Sequence, residues 1–157
     1  MRLDAIDLKI LDAVQRDGRI TKLRLAEVAG LSPTPVWVRL RRLEQSGLIA
    51  GYHARLAPRK VTPFAAIIME VMLGNHRQAD FDRFERAVTK VPQVVAVWSV
   101  GGKVDYFLKI LSADIESYQT LVDQWLAADI GIDRYFTYVV TRTVKEDQDF
   151  PLALLRL

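Results

Sequence analysis

The sequence predicts an α+β protein in two parts. The first is an N-terminal three-helix head built on a winged helix-turn-helix, and the second is a C-terminal ferredoxin-like βαββαβ unit. Three observations predict it. Residues 1–60 carry 12 Lys/Arg against 6 Asp/Glu, a net of +6, whereas residues 61–157 carry 10 against 13, a net of −3. Apolar residues recur at helical spacing in the first part, and strand-like runs alternate with amphipathic helices in the second. Two prolines in Pro58-Arg59-Lys60-Val61-Thr62-Pro63 mark a linker where the charge changes sign, which sets domains of 1–60 and 61–157.

The first helix is expected from Asp4 to Asp17. Ile6, Ile10, Ala13 and Val14 form its apolar stripe with Leu11 beside it, Asp4 and Asp7 complement the dipole of its first turn, and Gly18 closes it. A second helix runs from Thr21, its cap, to Ala29, with Leu25, Ala26 and Val28 inward. Gly30-Leu31-Ser32 is the turn. The third helix has both ends written into the chain: Ser32 as cap, Pro33 at the first helical position, where its missing N–H costs nothing, and Gly47 as terminator.

On a wheel of about 100° per residue, Val36, Leu40 and Leu43 make the buried stripe of this third helix. Thr34, Val38, Arg41, Arg42 and Gln45 fall on the other side, and only Glu44 is acidic. Arginine and glutamine read purine edges, threonine bonds a base or phosphate, and a methyl group contacts thymine. Helix, glycine turn and basic second helix therefore point to double-stranded DNA. The residues expected on DNA are Ser32, Thr34, Pro35, Val38, Arg39, Arg41, Arg42 and Gln45. Trp37 either stacks on the sugar-phosphate backbone or packs against the first helix. Leu48 to Leu56 reads as a short strand, a wing or an arm toward a partner subunit.

In the second part, Phe64–Leu73 reads as a strand, and Asp80–Val91 as a helix with Phe81, Phe84, Val88 and Val91 inward. Val94–Val100 and Val104–Leu111 form a hairpin around Gly101-Gly102-Lys103. Asp114 caps a helix with Tyr118, Leu121, Val122 and Trp125 inward, and Arg134–Val144 is the last strand. This order gives four antiparallel strands with both helices on one face. The other face would be bare and apolar, which predicts a second copy over it and hence a dimer. A dimeric helix-turn-helix protein reads a pseudo-palindromic site.

Half of the residues are hydrophobic, enough for packed cores rather than disorder. No apolar run reaches the roughly 18 residues that span a bilayer. Met1-Arg2-Leu3-Asp4 lacks the apolar core of a signal peptide, so the expected setting is cytoplasmic, with no membrane partner. The absence of cysteine excludes disulfides and thiolate metal sites. His53 and His76 do not make a metal-binding pair, and no nucleophile motif or phosphate-cradling glycine loop is present. Asp80 and Asp82, like Asp147 and Asp149, read as capping or solubilising charges. No catalytic residue, metal site or cofactor is expected.

The chain resembles the Lrp/AsnC (feast/famine) transcriptional regulators over essentially its full length. Four stretches carry the resemblance: Leu3–Leu11 continuing through Gln15–Arg19; Leu25–Glu27 with Leu31–Val36, Arg39–Glu44 and Gly47–Ile49; Gly102–Lys109; and Thr137–Val140. The resemblance implies a DNA-binding head and a C-terminal ligand-sensing domain for an amino acid or a derivative. It also implies dimers assembling into higher rings, often octamers, with the effector between dimers. By position, the effector site would draw on Trp98, Ser99, Val100, Gly101, Gly102, Asp105, Tyr106, Ile115, Thr137 and Val139. Asp105 could accept from an effector ammonium, and N–H groups at Gly101-Gly102 could hold its carboxylate. The sequence departs from the family at the linker, Val61-Thr62-Pro63-Phe64, and at Lys103-Val104. The alternative is an effector-independent DNA-organising protein with the same head and self-associating domain.

Overall fold

The computed structural model describes residues 2–146 and 149–155. Asp147, read above as a surface charge, lies outside them. Three helices open the chain: α1 (Ala5–Arg16), α2 (Lys22–Ala29) and α3 (Pro33–Gln45). A four-stranded domain follows: β1 (Ala65–Leu73), α4 (Gln78–Val88), β2 (Val94–Ser99), β3 (Tyr106–Ser112), α5 (Ile115–Ala127) and β4 (Ile132–Val139).

The head closes on Ile10, Leu11 and Val14 of α1, Leu25, Ala26 and Ala29 of α2, and Val36, Leu40 and Leu43 of α3. Val28, expected inside, is exposed, and Ala29 takes its place in the core. Asp4 caps α1: its carboxylate accepts from the Ile6 and Asp7 N–H groups, and Asp7 returns the bond to the Asp4 N–H. Gly30 and Gly47 adopt φ of 70° and 74°, the left-handed conformation that turns the chain out of α2 and α3 without a Cβ clash.

Two expectations for the head are corrected. Ser32 has extended backbone but makes no side-chain cap bond. A cap side chain reaches the N–H of the second or third helical residue, here Thr34 and Pro35, and Pro35 has none. Residues 48–56 form no strand within the chain. After Leu48 they lack both a neighbouring strand to pair with and the helical spacing that would bury them.

The chain divides differently from the expected 1–60 and 61–157. One unit comprises the residues up to Leu56 together with those from Lys145 on, and the other is Ala57–Val144. Leu152 and Leu155 pack against the head core, and Arg55 donates to the Glu146 carbonyl at 3.3 Å. With Phe150, Leu11 and Tyr52 they line an apolar cavity of about 530 Å³.

The sheet of the second unit has the order β2-β3-β1-β4, all neighbours antiparallel. Alternation sends Ile67, Met69, Val71 and Leu73 of β1, and Tyr106, Leu108 and Ile110 of β3, toward α4 and α5. There they meet Phe84 and Val88 of α4 and Tyr118, Val122 and Trp125 of α5. Among the described residues no layer covers the opposite face. Trp98, Phe107, Glu70 and Phe136 make one cross-strand row on it, and Ala96, Lys109, Ile68 and Tyr138 make the next.

Candidate nucleic-acid interface and ligand site

Helix α3 presents three distinct sides. Val36, Leu40 and Leu43 face the head core. Thr34, Val38, Arg41 and Gln45 follow one line along the helix and are exposed, Val38 to 63%. Ser32 and Pro35 are exposed beside the start of that line. This line offers a hydroxyl, a methyl-bearing side chain, a guanidinium and an amide, the groups that contact base edges and phosphates.

On the third side Arg39 and Arg42, both expected on DNA, reach acids of α1, Arg39 half-buried and Arg42 still exposed. Arg39 donates to Asp4 at 2.7 Å and to Asp7 at 2.9 Å, and Arg42 donates to the other oxygen of Asp7. Asp7 is 1% exposed, so its carboxylate is a buried anion satisfied by two arginines and the Asp4 N–H. The Asp4 carboxyl is held below its ordinary value by the Asp7 N–H first and by Arg39 second. The carboxylates of Asp4 first and Asp7 second raise the Arg39 guanidinium above its own. The signal was in the spacing: Asp7 sits on the Ile10–Val14 stripe, where a lone acid must have partners, and Arg39 and Arg42 are one turn apart.

Trp37 packs on the margin of the head core, the second of the two roles open to it. Its ring carries the Lys22 ammonium at 3.5 Å from the centroid and the Arg41 guanidinium at 4.7 Å. Tyr52 donates to Glu44 at 2.9 Å; burial first and that carboxylate second push its hydroxyl up to about 12.

Nine of the ten residues expected around an effector fall into two groups, one at the β2-β3 turn and one on β4, and the tenth opens a helix. Trp98, Ser99, Val100, Gly101, Gly102, Asp105 and Tyr106 sit where β2 turns into β3, whereas Thr137 and Val139 are on β4 and Ile115 opens α5. Strands β3 and β1 separate the groups. Three strand spacings of roughly 4.8 Å put about 14 Å between the two edges.

Two members of the first group have structural work in the chain. Tyr106 is 1% exposed on the helix side, where its hydroxyl donates to Glu85 at 2.7 Å and its ring lies 4.7 Å from that of Phe84. Burial first, and Glu85 second, raise its pKa. It is a core residue rather than a ligand contact. The alternation with Lys109 already assigns it inward, because Lys109 shares its side of the strand with Phe107 and Leu111. Asp105 accepts from the Leu73 N–H at 2.8 Å and pairs with His76 Nε2 at 2.9 Å, which ties the start of β3 to the end of β1. Each of its two oxygens thus holds one bond within the chain, and a carboxylate has lone pairs for more.

The turn itself keeps its donors. The Val100 N–H donates to the Asp105 carbonyl, and among the described residues no backbone acceptor takes the Gly101 or Gly102 N–H. At the other edge the Thr137 hydroxyl meets that of buried Tyr118 at 2.7 Å, a partner that sequence reading missed. Burial raises the Tyr118 pKa. Among the described residues no group of three or more His, Asp or Glu could hold a metal ion, and no helix is long and apolar enough to cross a membrane.

Known proteins supply the context for this arrangement. Residues 3–50 match the family model of the winged helix-turn-helix DNA-binding domain, and residues 66–150 match that of the Lrp/AsnC ligand binding domain. The chain belongs to the Lrp/AsnC family. It is a DNA-binding transcriptional regulator with a ligand-binding domain, as the family is. The transcriptional regulatory protein DoeX of Halomonas elongata is 48% identical over 145 residues, which are 92% of each chain. The leucine-responsive regulatory protein of Escherichia coli K12 is 38% identical over 144 residues, 92% of this chain and 88% of that one. A transcriptional regulator of Neisseria meningitidis, solved as an L-Met complex, superposes with a TM-score of 0.91 at 29% identity, over 99% of this chain and all of that one. The sequence reading of α+β class, family and regulatory role agrees with these findings.

Proposed function

We propose that this Lrp/AsnC regulator changes its DNA affinity or assembly when an amino acid, or a derivative, binds between copies of the chain. The observation that carries this reading is the split of the candidate residues. The hairpin group (Trp98, Ser99, Gly101 and Gly102) and the β4 pair (Thr137 and Val139) lie at opposite margins of one sheet, and Ile115 opens α5. A small ligand touches both only where the hairpin of one copy meets the β4 edge of another. Free N–H groups at Gly101-Gly102 suit its carboxylate. The meningococcal relative, solved with L-Met, supports the ligand class.

The open sheet face supports self-association. Trp98, Phe107, Phe136 and Tyr138 stand on it beside Glu70 and Lys109, so a two-fold related copy finds apolar surface and both signs of charge. The smallest assembly in this reading is a homodimer on a pseudo-palindromic operator, and dimers joined through the hairpins give a higher ring, an octamer by analogy with the family. The exposed line Ser32, Thr34, Pro35, Val38, Arg41 and Gln45 enters the major groove. The chain acts in the cytoplasm by binding, with no catalytic step.

A thermal-shift panel of amino acids and their catabolic derivatives tests the reading. A ligand at 100 times its Kd adds about 2.7 kcal/mol to the folded state, a shift of several degrees. One clear hit is expected. A flat panel from a protein that still binds DNA contradicts the effector and leaves the DNA-organising role.

A further inference from the structure

Trp37 and Lys22 lie outside the exposed line of α3, next to it. The cations of α2 and α3 fall into two kinds. Arg24 is held by Glu27 at 2.7 Å, and Arg39 and Arg42 are held by Asp4 and Asp7. Each of these charges is accompanied by an anion, so it offers a phosphate little net attraction. Lys22 has no acidic partner among the described residues, and the acid contact of Arg41 is a long 4.0 Å to Glu44. Both instead lie over the Trp37 ring, Lys22 at 3.5 Å and Arg41 at 4.7 Å.

A ring quadrupole attracts a cation without using its N–H donors or neutralising its charge. An ammonium over an indole therefore stays fully able to bond a phosphate. Lysine also has a flexible four-carbon stem whose freedom is lost on binding, and a side chain already resting on a ring loses less. Lys22 is the first residue of α2, the helix that crosses the DNA backbone when the second helix of the motif lies in the groove.

We propose that Trp37 is a positioning residue for DNA binding: its indole stations Lys22 on a backbone phosphate beside the groove and steadies Arg41 within it. This rests on the reading that α3 enters the major groove. Trp37 itself need not touch DNA.

The test is the salt dependence of binding to calf-thymus DNA, a probe that reports phosphate contacts without a known operator. Lys22→Gln is expected to lower the slope of log K against log salt by about 0.9 for each bound head. An unchanged slope overturns the phosphate contact. The coupling to Trp37 is read by a double-mutant cycle at fixed salt. The affinity lost through Lys22→Gln should be about 2- to 5-fold smaller in the Trp37→Leu background than in the wild type, and should persist in full with Trp37→Phe, which keeps a ring. A merely structural Trp37 would give equal losses in every background, and that result overturns its role. Should Trp37→Leu fail to fold, Trp37→Met takes its place as the ringless background, and the same two outcomes decide. If the wild type does not bind the DNA at all, the groove reading fails first and takes the inference with it.

Discussion

In the head, the side chains proposed to reach base edges come from one chain and lie along one line of α3. In the sheet domain, the residues expected around the effector lie about 14 Å apart at opposite edges, with the intervening strands between them. The head is complete as a reading surface once α3 is fixed by α1 and α2. In the proposed reading, the ligand site is complete only when copies assemble. The difference has a physical origin. A helix gathers residues that are three and four apart in sequence, whereas a four-stranded sheet puts its first and last strands on separate margins. Assembly can therefore govern the effector response while leaving a single head able to recognise DNA.

The largest expected effect tests how the head is fixed. Asp7→Ala strands two arginines and should destabilise the head by about 3 kcal/mol, the low end for breaking a buried ion pair, since Arg39 and Arg42 keep some solvent contact. Urea unfolding followed at the head measures it, and a midpoint equal to the wild type would mean that the buried carboxylate holds nothing.

Next comes the sheet side of the comparison. Phe136→Arg sets a charge in the middle of the aromatic row and should weaken self-association by about 2 kcal/mol or more, the scale of an interface hot spot. Sedimentation should show smaller species with an intact fold. Unchanged assembly would place the second copy on another surface.

Arg41→Ala should cost roughly 1–3 kcal/mol of specific DNA affinity and relax preference at one base position. Arg39→Ala should mainly lower the melting temperature of the head. Equal loss of base preference from both would erase the distinction between the outward line and the acid-bound side of α3.

The smallest effect is a pH dependence. The folded state holds the Asp4 carboxyl below its ordinary 3.8, so its contribution is present above that pH and is lost as pH falls through the lower folded value. Asp4→Asn should flatten this acid limb of head stability. A limb of the same steepness in the variant would assign it to other carboxylates.

How much of this could be read in the sequence follows from the range of the forces involved. Caps, glycine stops and apolar spacing are local, so the helices of the head and the βαββαβ order were legible to within a few residues. Pairings distant in sequence were not. The place of Asp7 on the apolar stripe signals that it needs partners, but not that they are Arg39 and Arg42, 32 and 35 positions away, and the return of Leu152 and Leu155 to the head core carries no periodic signal. The site was legible only in part. Strand alternation could have placed Tyr106 inside, but nothing local shows that Leu73 and His76 engage Asp105, or that Tyr118 underlies Thr137.

The shared ligand site is tested most directly by complementation. Gly101→Glu places a carboxylate at the open turn, where no atom lies within 4 Å of an added Cβ. Val139→Asp does the same at the exposed β4 edge. Each variant alone should lose the thermal shift given by the amino acid that responds in the wild type. Co-expressed, they should regain part of it, because a wild-type hairpin from one copy then meets a wild-type edge from the other. A mixture as unresponsive as its two components would contradict a site shared between copies.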